Sequence, residues 1–152
     1  MHVDIFTDGS ARGNPDGPGG YGTILRYVDP KGEVHEKELS QGYVKTTNNR
    51  MELMAAISAL ECLREPCIVD LYSDSRYVID ALEKGWAISW KKKGWVKSNK
   101  QPALNPDLWE RLLDLVSRHE MNYHWVKGHA DDSFNNRCDA LAVAQRDQFS
   151  KK

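Results

Sequence analysis

Neither sign of charge dominates this 152-residue chain: 21 Lys and Arg oppose 22 Asp and Glu, for a formal net charge of −1. That excludes a surface that is basic all over, so any nucleic-acid function needs charge concentrated locally. Cysteine is scarce. Cys62, Cys67 and Cys138 form no C-x-x-C pair; this argues against a disulfide framework, and they read as small buried side chains of a reducing compartment. No apolar run approaches membrane-spanning length. Asp4 and Asp8 argue against a signal peptide at this terminus. The expectation is a cytoplasmic protein with no membrane partner. Repeats and low-complexity tracts are absent. What remains has the 40% apolar and 28% charged make-up of an ordinary globular chain. It fits one domain over 1–152, with residues 148–152 expected as a disordered tail.

Hydrophobic periodicity orders the elements. "VDIFTD" alternates Val3, Ile5 and Thr7 against Asp4, Phe6 and Asp8, which reads as a strand. "YGTILRYVD" and "EVHEKELSQGYV" read as two more, joined by the turn residues Pro30 and Gly32. In "TTNNRMELMAAISALECLRE" the period changes: Leu53, Ile57 and Leu60 line one helical face, behind the N-cap candidates Thr46, Thr47 and Asn48. "CIVDLYSD" is a short strand, and "SRYVIDALEKG" a helix stopped by Gly85. Residues 84–106 read as irregular. "NPDLWERLLDLVSRHE" is a helix with Pro at its start. "NYHWV" is the last strand, "KGHADD" a loop and "SFNNRCDALAVAQRD" the final helix. This order predicts an α/β fold: a mixed five-stranded sheet, three antiparallel strands then parallel additions, flanked by helices.

Four carboxylates stand out by position. Asp8 ends the first strand, and Asp74 sits at the carboxyl end of "CIVDLYSD", where α/β sheets bind ligands. Glu52 lies in the first turn of its helix at the edge of the apolar stripe. Asp139 shares a face with Ala142 and Val143. Half-buried carboxylates are costly unless paired or cation-bound. Without a thiolate or histidine cluster, the set suits a hard cation, Mg²⁺ or Mn²⁺. Taken singly, each also fits a strand-end cap, a helix-dipole partner or a solvated charge. The glycines of "GNPDGPGGYG" match neither a P-loop nor a dinucleotide fingerprint. They read as a turn admitting close approach of another backbone, a ligand's included, or as a flexible hairpin connection.

Residues 84–106 carry six lysines (84, 91, 92, 93, 97 and 100), Trp86, Trp90 and Trp95, and no acidic residue. Basic groups interleaved with aromatics suit a surface that tracks a nucleic-acid backbone. A solvated lysine face with core tryptophans is the alternative.

"TDGSARGNPDGPGGYG", "TTNNRMELMAAISAL", "LYSDSRYV", "WKKKGWVKSN" and "WVKGHADDSFNNRCDALA" together resemble the successive signatures of bacterial type 1 ribonuclease H (ribonuclease HI), in order, from about residue 1 to 147. The resemblance is to the compact enzyme without an extra N-terminal hybrid-binding domain. It implies an endonuclease that cuts the RNA strand of RNA–DNA hybrids and leaves 5′-phosphate and 3′-hydroxyl ends. Primer removal and clearance of transcription-linked hybrids are the cellular roles it implies. Asp8, Glu52, Asp74 and Asp139 match the acidic tetrad that holds two Mg²⁺ ions, with Mn²⁺ as a substitute. Such a pair activates water and stabilises the leaving oxygen. His129 matches the catalytic histidine, whose imidazole suits proton transfer to or from the water or the product; His124 reads as a strand-face residue. Asn14 and Asn48 match contacts to the RNA strand, and Thr47 and Asn105 match a phosphate pocket for the DNA strand or serve as helix caps. Residues 84–106, with Trp86, Trp90, Trp95, Lys91, Lys92 and Lys93, match the basic protrusion that grips the DNA strand. Arg76 stands where many bacterial relatives carry Gln, to bind a phosphate or to pair with a carboxylate. A monomer is expected, and a single-strand-binding protein is a candidate partner. A DNA nuclease or integrase on the same fold, and a non-catalytic hybrid-binding module, are the competing readings. Asn14, Asn48 and "WKKKGW" weigh against the first, and the complete tetrad against the second.

Overall fold

Odd-numbered residues of the first strand are mostly apolar and even-numbered ones mostly polar, and in the computed structural model, which describes residues 1–13, 16–127 and 133–150, this alternation divides two packing faces. The elements run β1 (His2–Ala11), β2 (Gly17–Val28), β3 (Val34–Thr46), α1 (Asn48–Glu61), β4 (Ile68–Ser73), α2 (Arg76–Glu83), α3 (Trp86–Lys92), α4 (Pro106–Val116), β5 (Glu120–Trp125) and α5 (Ser133–Ser150). One five-stranded sheet has the order β3-β2-β1-β4-β5. β1 pairs antiparallel with β2, and β2 with β3; β4 joins β1 in parallel, and β5 joins β4 in parallel. The mixed α/β sheet expected from the sequence is the one observed.

On one face Val3, Ile5, Val69 and Leu71 pack against Leu53, Ile57 and Leu60 of α1 and against Leu112 and Trp109 of α4. Trp109 is fully buried; truncating such a side chain to Ala costs about 3–5 kcal/mol. On the other face Phe6 stacks between Tyr72 and Phe134, at centroid distances of 4.8 and 4.4 Å, beside Ile24 and Cys138. α5 lies across β1, β2 and β3 on this side. None of the three cysteines forms a disulfide, Cys67 and Cys138 being buried. Among the described residues no helix is long and apolar enough to cross a membrane.

Three expectations are corrected. Gly17, Gly19, Gly20 and Gly22 lie within β2 rather than in a connecting loop. A Cβ on Gly20 or Gly22 would come within 2.8 Å or 2.5 Å of the α5 backbone, at the Ala142 or Cys138 carbonyl. These glycines admit a helix, not a ligand. The stretch 84–106 is not wholly irregular: Gly85, at φ 75°, ends α2 and opens α3, which buries Ala87. The tail expected from residue 148 is helical through Ser150, because Phe149 of α5 lies against Gly42 of β3.

Candidate active site

Thr47 caps α1, its hydroxyl accepting from the Arg50 N–H at 3.2 Å, so the first turn of that helix starts beside the end of β1. Glu52 is thereby brought to Asp8. The two approach closely because Gly9 lies between them: a Cβ there would stand 2.5 Å from the Glu52 backbone nitrogen. Asp74 follows Ser73, the last residue of β4. One carboxylate oxygen from each of Asp8, Glu52 and Asp74 lies within 4.8 Å of the other two. Asp139, on α5, stands close enough to Asp8 to raise its carboxyl pKa. Four elements therefore deliver four carboxyl groups to one place, at the carboxyl ends of β1 and β4.

The electrostatics there are unfavourable for charge. Asp8 and Glu52 are only 5% and 8% exposed. Burial, then the charge of Asp74 and the contact with Asp139, push the Asp8 carboxyl up to about 8. Burial, with Asp8 and Asp74 beside it, holds Glu52 well above the ordinary carboxylate range. Among the described residues, Oε1 of Glu52 is buried with no hydrogen-bond partner. An orphaned buried oxygen is costly, and an all-oxygen set of this kind fits a hard divalent cation. The residues present fit such an ion.

Asp74 is held from outside by Trp125, whose Nε1 donates to the Asp74 carbonyl oxygen at 3.0 Å. The Arg76 guanidinium lies 3.9 Å above the Trp125 ring. Among the described residues Arg76 pairs with no carboxylate; cation–π stacking holds it in place.

A groove of about 560 Å³ runs beside the N-terminus of α1, lined by Asn49, Tyr77, Trp86, Trp90, Lys93 and Lys97, among others. The basic, aromatic segment thus borders a concave surface. Its members divide. Trp86 is exposed, with Lys84 Nζ 5.1 Å from its ring centroid. Trp90 packs edge-to-face on Trp109 at 5.9 Å while lining the groove. Trp95 packs against the core and does not line the groove. Lys93 lines it; Lys91 and Lys92 are exposed outside it.

Asn48 is exposed, and its Oδ1 accepts from the Ala11 N–H at 2.6 Å, tying the end of β1 to α1. Asn105 precedes α4 at φ 59° but makes no capping bond. It accepts from Arg50 at 3.2 Å and donates to the Tyr77 hydroxyl at 3.3 Å, which also accepts from Trp109 Nε1 at 2.8 Å. The capping role expected for Asn105 is therefore corrected, whereas Thr47 does cap. Arg50 is fixed by a bidentate pair with Asp107. Gly9, Arg50 and Tyr77 are site components that the sequence reading missed. For Gly9 the available signal was a glycine directly after a strand-end aspartate; Arg50 and Tyr77 had none, because their partners are remote in sequence. Asn14 and His129 lie outside the described residues. His124 is a strand-face residue, as expected, on β5.

The RNase H family model matches residues 1–147. Ribonuclease H of Lachnoclostridium phytofermentans is 56% identical over 147 residues, covering 97% of this chain and 93% of that protein. Ribonuclease H of Proteus mirabilis is 55% identical over 154 residues, covering 100% of this chain and 92% of that protein. Among solved structures, LC9-RNase H1, described as a type 1 RNase H with the type 2 active-site motif, is similar with a TM-score of 0.85 at 29% identity, covering 97% of this chain and 72% of that one.

Proposed function

This chain belongs to the RNase H family and is a ribonuclease H, and from that premise we propose that its carboxylate cluster, with two Mg²⁺ bound, hydrolyses the RNA strand of RNA–DNA hybrids to 5′-phosphate and 3′-hydroxyl ends. The observation that carries this reading is the convergence of Asp8, Glu52 and Asp74, with an unpartnered Glu52 oxygen, beside a groove lined by lysine and tryptophan.

Asp8, Glu52, Asp74 and Asp139 hold the cations, Asp8 being the central ligand because the other three carboxyls all act on it. Bound there, the cations lower the pKa of the attacking water and offset charge on the departing 3′ oxygen. The protein's own work is to keep the site dry and the ligands fixed. In the metal-free site the Asp8 carboxyl, pushed up to about 8, holds its proton at neutral pH, and burial raises Glu52 above the ordinary carboxylate range. Mn²⁺ suits the same oxygen set.

Lys93, Lys97 and Trp86 line the path of the DNA strand along the groove. Lys91 and Lys92 add positive potential outside it. Thr47 and Asn105, with Arg50 between them, receive one of that strand's phosphates. Asn48 meets the RNA strand through its NH₂, since its Oδ1 is engaged by Ala11; Asn14 is assigned to the same strand. His129 carries a proton from the attacking water or to the product. The enzyme works as a monomer in the cytoplasm, and a single-strand-binding protein is its candidate partner.

The test is cleavage of one end-labelled RNA presented paired with DNA, paired with RNA, and alone, with Mg²⁺ or with EDTA. Cutting only of the hybrid, and only with Mg²⁺, supports the reading. Equal cutting of single-stranded RNA, or cutting in EDTA, overturns it.

A further inference from the structure

A second group of ligating side chains lies on the same sheet, away from the tetrad. His2 and Asp4 come from β1, Asp70 from β4 and His124 from β5. In the parallel register Asp4 stands opposite Asp70, and Tyr72 opposite His124. All four side chains lie on the sheet face that carries Phe6 and Tyr72. Nε2 of His2 contacts Oδ2 of Asp70 and lies 3.9 Å from Oδ1 of Asp4. Nε2 of His124 lies 2.7 Å from the other Asp70 oxygen, and its ring is stacked on Tyr72 at 4.6 Å. One ligand atom each from His2, Asp4 and Asp70 falls within 4.8 Å of the other two. Asp4 and Asp8 are four residues apart on one strand, so the groups stand about 13 Å from each other.

The contrast with a similar group is informative. Asp29, Glu33 and His35 also converge, but there Asp29 Oδ1 accepts the backbone N–H groups of Lys31 and Glu33. Those carboxylate bonds build the β2–β3 turn. Among the described residues, no backbone N–H bonds the carboxylate of Asp4 or Asp70. Asp70 is 15% exposed in its side chain, and both of its oxygens face imidazole nitrogens. Although partial burial opposes it, hydrogen bonding from His124 and His2 holds its carboxyl below the ordinary range.

We propose that His2, Asp4 and Asp70 form a second divalent-cation site, selective for a borderline ion such as Zn²⁺ over Mg²⁺, with His124 positioning Asp70 through its second oxygen. An imidazole with two carboxylates is a donor set that Zn²⁺ accepts at tetrahedral distances, with water completing the shell. Mg²⁺ favours oxygen ligands and gives up its water reluctantly. A hydrogen bond to the non-ligating oxygen is how ligating carboxylates are commonly oriented. The exposed His2 side chain, 57% accessible, leaves the ion an entry path. Bound there, the ion clamps β1 to β4 without touching the tetrad.

The test is calorimetric titration of Zn²⁺ into the full chain with excess Mg²⁺ present, together with the Zn²⁺-induced shift of the unfolding midpoint. The wild type and Asp8→Asn both take up one Zn²⁺ and gain thermal stability. His2→Gln loses at least about tenfold in Zn²⁺ affinity and most of the midpoint shift. Asp4→Asn, a near-isosteric change at a half-buried side chain, does the same. His124→Gln weakens binding less than His2→Gln. Loss of the Zn²⁺ site in Asp8→Asn would place the ion in the tetrad and overturn the proposal, as would wild-type Zn²⁺ binding by both His2→Gln and Asp4→Asn.

Discussion

Gly9 and Glu52 are in contact at a distance that leaves no room for a side chain: a Cβ on Gly9 would lie 2.5 Å from the Glu52 amide nitrogen and 2.5 Å from the Met51 carbonyl carbon. Both obstacles are backbone, so α1 itself has to retreat. Gly9→Ala is expected to destabilise the protein by about 1–3 kcal/mol and to cut hybrid cleavage at least about tenfold, because Glu52 moves with the helix. Thermal unfolding and initial cleavage rates check the two effects separately.

The metal-free protein has a defined pH dependence. The Asp8 carboxyl stands at about 8 in the fold against an ordinary 3.8. Between those values the folded state keeps a proton that the unfolded chain has released. Stability from this group therefore falls as pH rises from about 4 to about 8. In EDTA the unfolding midpoint is expected to decline across that window. Asp8→Asn removes the effect, so in EDTA at pH 8 it unfolds about 3 °C or more above the wild type. Adding Mg²⁺ narrows or reverses that gap, since the wild type gains from binding. A scanning-calorimetry series over pH, with and without EDTA, reads all of this.

The groove separates the lysines. Lys93 and Lys97 line it, whereas Lys91 and Lys92 do not. Lys93→Ala with Lys97→Ala is expected to flatten the log–log salt dependence of hybrid binding by about 1.5–2, and Lys91→Ala with Lys92→Ala by less than about 1. Fluorescence anisotropy between low and moderate salt supplies both slopes.

Much of this was legible in the sequence because it is local. Alternation in "VDIFTD" and the change of period at Thr47 give strand and helix from neighbouring residues, and strand ends place Asp8 and Asp74. What the sequence hid depends on partners remote along the chain. The glycines of β2 look like a loop until α5 lies on them, with Gly20 against Ala142 and Gly22 against Cys138. Asn105 looks like a cap until its left-handed backbone turns its amide towards Arg50 and Tyr77. His2, Asp70 and His124 lie far apart in the sequence, and only the β1-β4-β5 register unites them. Phe149, near the chain end, acquires its place only from Gly42 on the edge strand.

The central claim is that the buried carboxylates work by holding cations and not merely by shaping a surface. Hybrid cleavage and hybrid binding by Asp8→Asn and the wild type, measured side by side across a Mg²⁺ series at pH 8, test it most directly. The account predicts that Asp8→Asn binds the hybrid as tightly as the wild type but cuts it more than about 100-fold more slowly at every Mg²⁺ concentration. Cutting by Asp8→Asn at the wild-type rate would contradict it.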